Sequence, residues 1–205
     1  MKQNNTIKKT RRPLVAVVGD ACLEKNCEKQ KIAEQLGAAL ITERYRLVTG
    51  GHDGVMLAAS KGAWESPEHQ DGDIIAILPG TDPDQANQYA DIYIATGFDT
   101  ARNLIIANSD AVIAVGGGGG TLSEMAVAWA HGRLVLGYRV EGWSGVLADQ
   151  RIDPRIRYPD IPDDRVYGVS SVEEALSYLK LLPLYTKRHT GIKWGECPPT
   201  DKERL

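Results

Sequence analysis

Five consecutive glycines at positions 116–120 carry the clearest chemical signal in the sequence. An apolar segment, residues 111–115, leads into them, and Thr121-Leu122-Ser123-Glu124 follows. Because glycine has no side chain, its backbone N–H groups can converge on an anion, and a helix beginning near Thr121 adds the positive end of its dipole. The pattern predicts a phosphate-binding loop formed by Gly117, Gly118, Gly119, Gly120 and Thr121.

Two common phosphate-binding motifs do not account for these glycines. The phosphate loop of kinases and NTPases requires a lysine after its last glycine, and Thr121 stands there instead. The dinucleotide fingerprint belongs after the first strand of its fold, whereas these glycines follow about the fifth predicted strand. The remaining alternative is a tight structural turn that binds no ligand.

A second loop has the same character. Residues 49–56 read Thr-Gly-Gly-His-Asp-Gly-Val-Met and join a predicted strand to a predicted helix. The first predicted strand ends at Gly19 and is followed by Asp20. The carboxyl ends of parallel strands meet at one edge of an open α/β sheet, where ligands bind. We therefore expect a shared site that also includes Gly19, Asp20, Gly50 and Gly51.

Alternating apolar and amphipathic segments must position these loops. The apolar runs predict strands at residues 14–18, 47–49, 74–78, 92–94, 111–115, 134–137 and 166–169. Helical periodicity and helix-start signals predict helices at residues 28–43, 54–63, 100–108, 121–131 and 171–182. This alternation predicts an α/β, Rossmann-like, doubly wound and mainly parallel sheet with helices on both faces.

The predicted domain organisation is simple. Residues 13–182 form a single nucleotide-binding domain, preceded by a flexible basic tail at residues 1–12. A C-terminal arm at residues 183–205 is expected to be ordered only if Trp194 finds a pocket. Residues 142–164, rich in Pro, Gly, Asp and Arg, are expected to run over the surface at the sheet edge or against a partner subunit.

Composition limits the classes of partner. The 205 residues are 42% hydrophobic and 25% charged, with a formal net charge of −3, which argues against nucleic acid or an anionic membrane as a partner. No apolar run is long enough to span a bilayer, and residues 1–12 lack the apolar core of a signal peptide, so we expect a cytoplasmic protein. Three cysteines without a C-x-x-C pair suggest neither a disulfide framework nor a zinc site, and we expect no metal and no resident cofactor.

The order of motifs resembles a known family. G-G-x-x-G-[VL]-M at residues 50–56, then Ala101-Arg102-Asn103, then G-G-x-G-T-x-x-E at residues 117–124 is similar to the Lonely Guy (LOG)-like Rossmann proteins. The wider set includes the molybdenum-cofactor carrier protein. The resemblance covers about residues 14–138. It implies a nucleotide-binding fold, and in some members a hydrolase that cleaves the N-glycosidic bond of nucleoside 5′-monophosphates.

That reaction assigns roles to three residues. Cleaving a base from ribose builds positive charge on the sugar, which a carboxylate can stabilise while it orients or deprotonates water, so Glu124 is the candidate catalytic residue. Arg102 is expected to neutralise phosphate or ribose oxygens, and Asn103 to bind ligand or cap a helix. The alternatives are that Glu124 only completes a capping box with Thr121, and that Arg102 makes a surface ion pair.

Departures from the catalytic members leave two functions open. Ala101 stands where those members carry arginine, Gly116 replaces their proline, and Asp20 and Ala21 replace their serines. The first function is a phosphoribohydrolase that uses Glu124 and Arg102. The second is a noncatalytic binding or carrier protein for a phosphorylated cofactor, such as molybdenum cofactor, or for a signalling nucleotide. In both, we expect a phosphate-bearing small molecule as ligand and a homo-oligomer.

Overall fold

The computed structural model describes residues 11–185 and contains one seven-stranded parallel sheet. Every strand pair is parallel, and the strand order is β4-β3-β2-β1-β5-β6-β7. The strands are β1 Leu14–Gly19, β2 Arg46–Thr49, β3 Ile74–Leu78, β4 Ile92–Ala95, β5 Ala111–Val115, β6 Leu134–Tyr138 and β7 Tyr167–Val169.

Helices connect these strands and cover both faces of the sheet. They are α1 Glu28–Thr42, α2 Val55–Trp64, α3 Asn103–Ala107, α4 Gly119–Ala130, α5 Trp143–Leu147 and α6 Val172–Leu179. Short 3₁₀ turns occur at Pro83–Gln85, Asp99–Arg102 and Leu182–Leu184.

The two layers of the core follow from the period of two along each strand. Val15 and Val17 of β1 pack with α1, α2 and α6, whereas Ala16 and Val18 pack with α3 and α4 on the other face. β1 and β5 are buried along almost their whole length, as expected for strands that are covered on both sides. The Rossmann-like fold with helices on both faces, predicted from the sequence, is confirmed.

The expected site lies at the carboxyl ends of β1 and β5, where the strand order changes direction. β1 lies between β2 and β5, and Gly19 is paired with Val115 at their carboxyl ends. A Cβ atom on Gly19 would lie 2.2 Å from the carbonyl oxygen of Val115, so only glycine lets the strands end this close together. Open α/β sheets bind ligands in the crevice that opens at such a point.

The structure corrects two predicted helix boundaries at the site. α4 begins at Gly119 with Gly118 as its N-cap, two residues before the predicted start at Thr121. The reason is that Thr121 is buried against Gly117, where its side chain cannot cap the helix. The predicted helix at residues 100–108 is instead a 3₁₀ turn, Asp99–Arg102, followed by the short helix α3.

Two later predictions also change. α6 ends at Leu179 rather than at residue 182, because Pro183 has no N–H to donate to the carbonyl oxygen of Leu179, and the 3₁₀ turn Leu182–Leu184 follows. Residues 142–164 do not simply cross the surface. They contain α5, and they place Arg157 and Asp164 in a buried ion pair, with the Arg157 guanidinium stacked 3.5 Å from the ring centroid of Trp129.

The described chain begins at the amino ends of the strands, on the side of the sheet opposite the carboxyl ends of β1 and β5. Arg11 bonds to the Asp110 carboxylate, and Arg12 bonds to that of Asp73. Residues 1–10 of the predicted tail, and Trp194 of the predicted C-terminal arm, lie outside the described residues.

Candidate functional site

A cavity of about 450 Å³ opens at the carboxyl ends of β1 and β5. Its walls are the end of β1, the glycine loop, the first turns of α4, and the 3₁₀ turn that precedes α3. Of the residues predicted from the sequence, those that line it are Gly19, Asp20, Arg102, Asn103, Gly118, Gly120, Thr121 and Glu124.

The first two glycines of the loop are required by the fold. Gly116 and Gly117 have φ angles of 68° and 95°, in the left-handed region that favours glycine. A Cβ atom on Gly117 would also lie 2.2 Å from Oγ1 of Thr121. Any larger residue at position 117 therefore strains the backbone and collides with α4.

The next three glycines are not required by the fold. A Cβ atom on Gly118, Gly119 or Gly120 would meet no atom within 4 Å, and all three residues are exposed. The first backbone bond of α4 runs from the N–H of Leu122 to the carbonyl oxygen of Gly118, at 3.0 Å. Within residues 11–185, no protein acceptor is bonded to the N–H groups of residues 118–121. These amides and the helix dipole favour an anion at this point.

Glu124 lies one turn into α4 and faces the same cavity. Its side chain is 8% exposed, and Oε1 lies 3.7 Å from Nη1 of Arg102. Burial raises the pKa of Glu124 to about 7, although the positive charge of Arg102 acts in the opposite direction. A carboxyl group with this pKa is suited to both accept and donate a proton near neutral pH.

The capping-box alternative for Glu124 is wrong. It placed Thr121 at the N-cap, but that position belongs to Gly118, and no side chain caps α4. Thr121 and Glu124 therefore stand one helical turn further along than the alternative requires. The Glu124 side chain instead lines the cavity and lies beside Arg102.

Arg102 reaches the cavity by lying across the second glycine loop. A Cβ atom on Gly50 would be 2.3 Å from Nη1 of Arg102, and Sδ of Met56 borders the same space. Nη1 is buried and has no hydrogen-bond partner within the described chain. A buried guanidinium N–H without an acceptor is costly, and the Glu124 carboxylate, with Oε1 3.7 Å from Nη1, supplies the nearby negative charge. Ala101, where catalytic LOG proteins carry arginine, is exposed.

The other residues of the second loop have supporting positions. Gly50 contacts Arg102 and does not line the cavity. The sequence predicted Gly50 as a ligand-binding residue and did not reveal this contact. Gly51 has a φ of 78° and packs against Leu78. The second loop therefore lies beside the cavity, and Arg102, which contacts Gly50 and lines the cavity, connects the two.

Hydrogen bonds and ion pairs fix the remaining walls. Nδ2 of Asn103 donates to Oγ of Ser123 at 2.8 Å, and this hydroxyl donates to the carbonyl oxygen of Gly120 at 2.7 Å, which joins α3 to the first turn of α4. Nζ of Lys29 lies 2.7 Å from Oδ2 of Asp20 and neutralises it. Asp99, which sequence reasoning also missed, lines the cavity with a φ of 50°.

Residues 11–185 contain neither a cluster of metal ligands nor a membrane-spanning helix. No group of three or more His, Cys, Asp or Glu side chains in this range is arranged to hold a metal ion. No helix between residues 11 and 185 has the length and apolar character needed to cross a bilayer.

The chain is similar to a family and to one curated relative. Residues 12–173 match the family model described as the SLOG cluster4 family. An uncharacterized protein of Archaeoglobus fulgidus is 44% identical over 109 residues, which cover 53% of this chain and 69% of that protein.

The chain is also similar to solved structures of molybdenum cofactor proteins. The molybdenum cofactor binding protein from Rippkaea orientalis has 32% identity and a TM-score of 0.68, and the match covers 84% of this chain and 98% of that chain. The molybdenum cofactor carrier protein from Chlamydomonas reinhardtii has 29% identity and a TM-score of 0.65, with 84% and 99% covered. The similarity extends over almost the full length of both.

Proposed function

This chain belongs to the SLOG cluster4 family, and from that premise we propose that it binds a phosphorylated cofactor at the carboxyl ends of β1 and β5. The family assignment agrees with the LOG-like, carrier-like resemblance predicted from the glycine motifs. The relatives from Rippkaea orientalis and Chlamydomonas reinhardtii are molybdenum cofactor proteins. We propose that this protein binds a ligand of the same kind, and that it carries this ligand rather than using it as a permanently bound cofactor.

One observation carries this proposal. The N–H groups of residues 118–121 have no acceptor in the described protein, and the three glycines at positions 118–120 place no side chain in the space beside them. A phosphate group supplies the missing acceptors and is attracted by the positive end of α4. The cavity of about 450 Å³ is within the range for small-molecule sites, so a ligand larger than phosphate fits.

The test is to identify what the purified protein carries. Small molecules released by denaturation are analysed by mass spectrometry, and the candidates are added back in a thermal-shift assay, because a ligand that binds only the native state raises its melting temperature. A phosphorylated pterin-type cofactor or a nucleotide that stabilises the wild-type protein supports the proposal. A protein that neither carries nor responds to any phosphate-bearing compound contradicts it.

A second candidate function rests on Glu124. Its pKa of about 7, its burial and its position beside Arg102 suit the hydrolysis of a nucleoside 5′-monophosphate. In that reaction the N–H groups of residues 118–121, called the amide cradle here, hold the 5′-phosphate, and Glu124 as carboxylate takes a proton from water. The water oxygen bonds to the anomeric carbon as the bond to the base breaks, and the departing base takes up the proton that Glu124 received, which restores the carboxylate. The products are free base and ribose 5-phosphate.

This candidate makes a specific prediction. If the protein hydrolyses a nucleoside monophosphate, Glu124→Gln lowers the release of free base by about 100-fold or more, since a general acid–base group contributes this much to rate. Binding of the same nucleotide, measured by calorimetry, stays within about threefold of wild type, because the amide cradle is unchanged. Wild-type protein that binds nucleotides without releasing base contradicts the hydrolase and leaves the carrier function.

We further propose that the protein is a homo-oligomer that associates through the β4 edge. β4 is an edge strand, so its outer backbone groups have no strand partner among the described residues. Six apolar side chains on β4 and on the segment that follows it in the chain, together called the patch here, are 43–62% exposed: Ile92, Tyr93, Ile94, Phe98, Leu104 and Ile105. An exposed cluster of this kind indicates a protein interface, and a second copy offers the same surface in return.

Light scattering coupled to gel filtration tests this interface. We expect an oligomeric wild type and a smaller species for Ile94→Glu, because a charge in an apolar interface must be desolvated without a partner. Val146→Glu is the matched control, since Val146 is 62% exposed on α5, outside the patch. A monomeric wild type, or an oligomer that Ile94→Glu leaves intact, contradicts the proposal.

A further inference from the structure

The loop between β6 and α5 packs directly against the glycine loop. Gly142 has a φ of 119°, and a Cβ atom there would lie 2.6 Å from the carbonyl carbon of Gly116 and 2.7 Å from the backbone nitrogen of Gly117. Glycine alone permits this approach. Backbone bonds then join the glycine loop to the first turn of α5: the N–H of Trp143 donates to the oxygen of Gly117 at 2.9 Å, and the N–H of Ser144 donates to the oxygen of Gly116 at 3.0 Å.

The Ser144 hydroxyl makes the decisive contact. Ser144 is fully buried, and its Oγ accepts a hydrogen bond from the N–H of Gly116 at 2.7 Å. The same hydroxyl donates to the carbonyl oxygen of Tyr138, at the end of β6, at 2.7 Å. Because a hydroxyl has one proton, the bond to Tyr138 fixes the direction of its lone pairs and presents an acceptor to Gly116.

We propose that Ser144 is a positioning residue for the anion site. It holds Gly116 in the left-handed conformation, so that the chain turns and the N–H groups of residues 118–121 stay directed at the cavity. Both oxygens of the turn accept bonds from the first two N–H groups of α5, and neither accepts one from the N–H groups of residues 118–121. The inference rests on the proposed function, since it concerns the phosphate site, but Ser144 itself does not line the cavity.

The test compares two buried substitutions in the full-length protein. Ser144→Ala is expected to weaken the binding of inorganic phosphate, followed by NMR titration, by about tenfold or more, because the loop is no longer fixed before binding. Leu179→Ala removes a buried side chain on α6, outside the glycine loop, and is expected to keep the phosphate affinity within about twofold of wild type.

A spectroscopic readout separates positioning from general loss of stability. In the ligand-free state, Ser144→Ala is expected to shift or broaden the amide resonances of residues 118–121, and Leu179→Ala is expected to leave them in place. In wild-type protein, the N–H of Gly116 should exchange with solvent far more slowly than the N–H of Gly119. This second measurement decides the matter if Ser144→Ala does not fold.

Three outcomes are distinguishable. Wild-type protein that does not bind inorganic phosphate refutes the anion site on which the proposed function rests. Wild-type protein that binds phosphate, together with a folded Ser144→Ala that binds it equally well, refutes the positioning role alone. Equal exchange rates at Gly116 and Gly119 in the wild type refute it as well.

Discussion

Gly120→Ala is expected to lower the affinity for inorganic phosphate by about tenfold or more, which corresponds to about 1.4 kcal/mol. Gly120 lines the cavity in the first turn of α4. Side chains on a helix lean towards its N-terminus, so the added methyl group enters the space that the anion needs. The free energy of unfolding should remain within about 1 kcal/mol of wild type, because this methyl group meets no protein atom within 4 Å and alanine favours the helix.

Gly117→Ala is the matched control for the same chemical change. Gly117 has a φ of 95°, and its methyl group would collide with Thr121. We expect a loss of roughly 2–5 kcal/mol in the free energy of unfolding, from left-handed strain and overpacking together. Urea unfolding and phosphate titration of both variants separate the two glycine roles. Gly120→Ala with unchanged phosphate affinity would show that the anion does not use this cradle.

Glu124→Gln is expected to stabilise the protein in alkaline solution and to leave its stability unchanged in acid. The pKa of Glu124 is about 7 in the folded protein, compared with 4.5 for an unperturbed glutamate. Below about pH 4.5 the group is protonated in both states and contributes nothing to the pH dependence. Above about pH 7 it is ionised in both states, and the folded state carries the cost of burying the charge, which is at most about 3 kcal/mol.

The sign of this effect is opposite to that of most paired carboxylates. Because the pKa is raised on folding, the contribution to stability is present at low pH and is lost as the pH rises from about 4.5 to about 7. Denaturant unfolding of wild type and Glu124→Gln at about pH 4.5 and about pH 8 measures the difference. Glu24→Gln, which changes an exposed carboxylate, should follow the wild-type profile. Parallel profiles for Glu124→Gln and wild type would contradict the burial argument.

The sequence was sufficient for the sheet and for the edge that carries the site. Strands β3 and β5 have the predicted boundaries, since buried parallel strands are short, continuous apolar runs with polar or glycine residues at their ends. The two glycine loops could be placed at one edge because all parallel strands end there. The start of α4 was misjudged, because Thr121 is a good capping residue by type but is used for packing against Gly117.

Contacts between distant segments were the part that the sequence could not supply. The ion pair of Arg102 and Glu124, the contact of Gly50 with Arg102, and the bond from Gly116 to Ser144 each join elements that only the folded sheet brings together. The sequence also cannot tell a glycine that the backbone conformation requires from a glycine that leaves space for a ligand. Gly117 is required by its backbone angle, whereas Gly120 is surrounded by open space.

A crystal structure with inorganic phosphate bound would test the anion cradle most directly. We expect phosphate oxygens at about 2.7–3.2 Å from at least two of the backbone nitrogens of Gly119, Gly120 and Thr121. A structure in which these N–H groups are bonded to protein oxygens, while phosphate lies elsewhere or is absent, would contradict the proposed function.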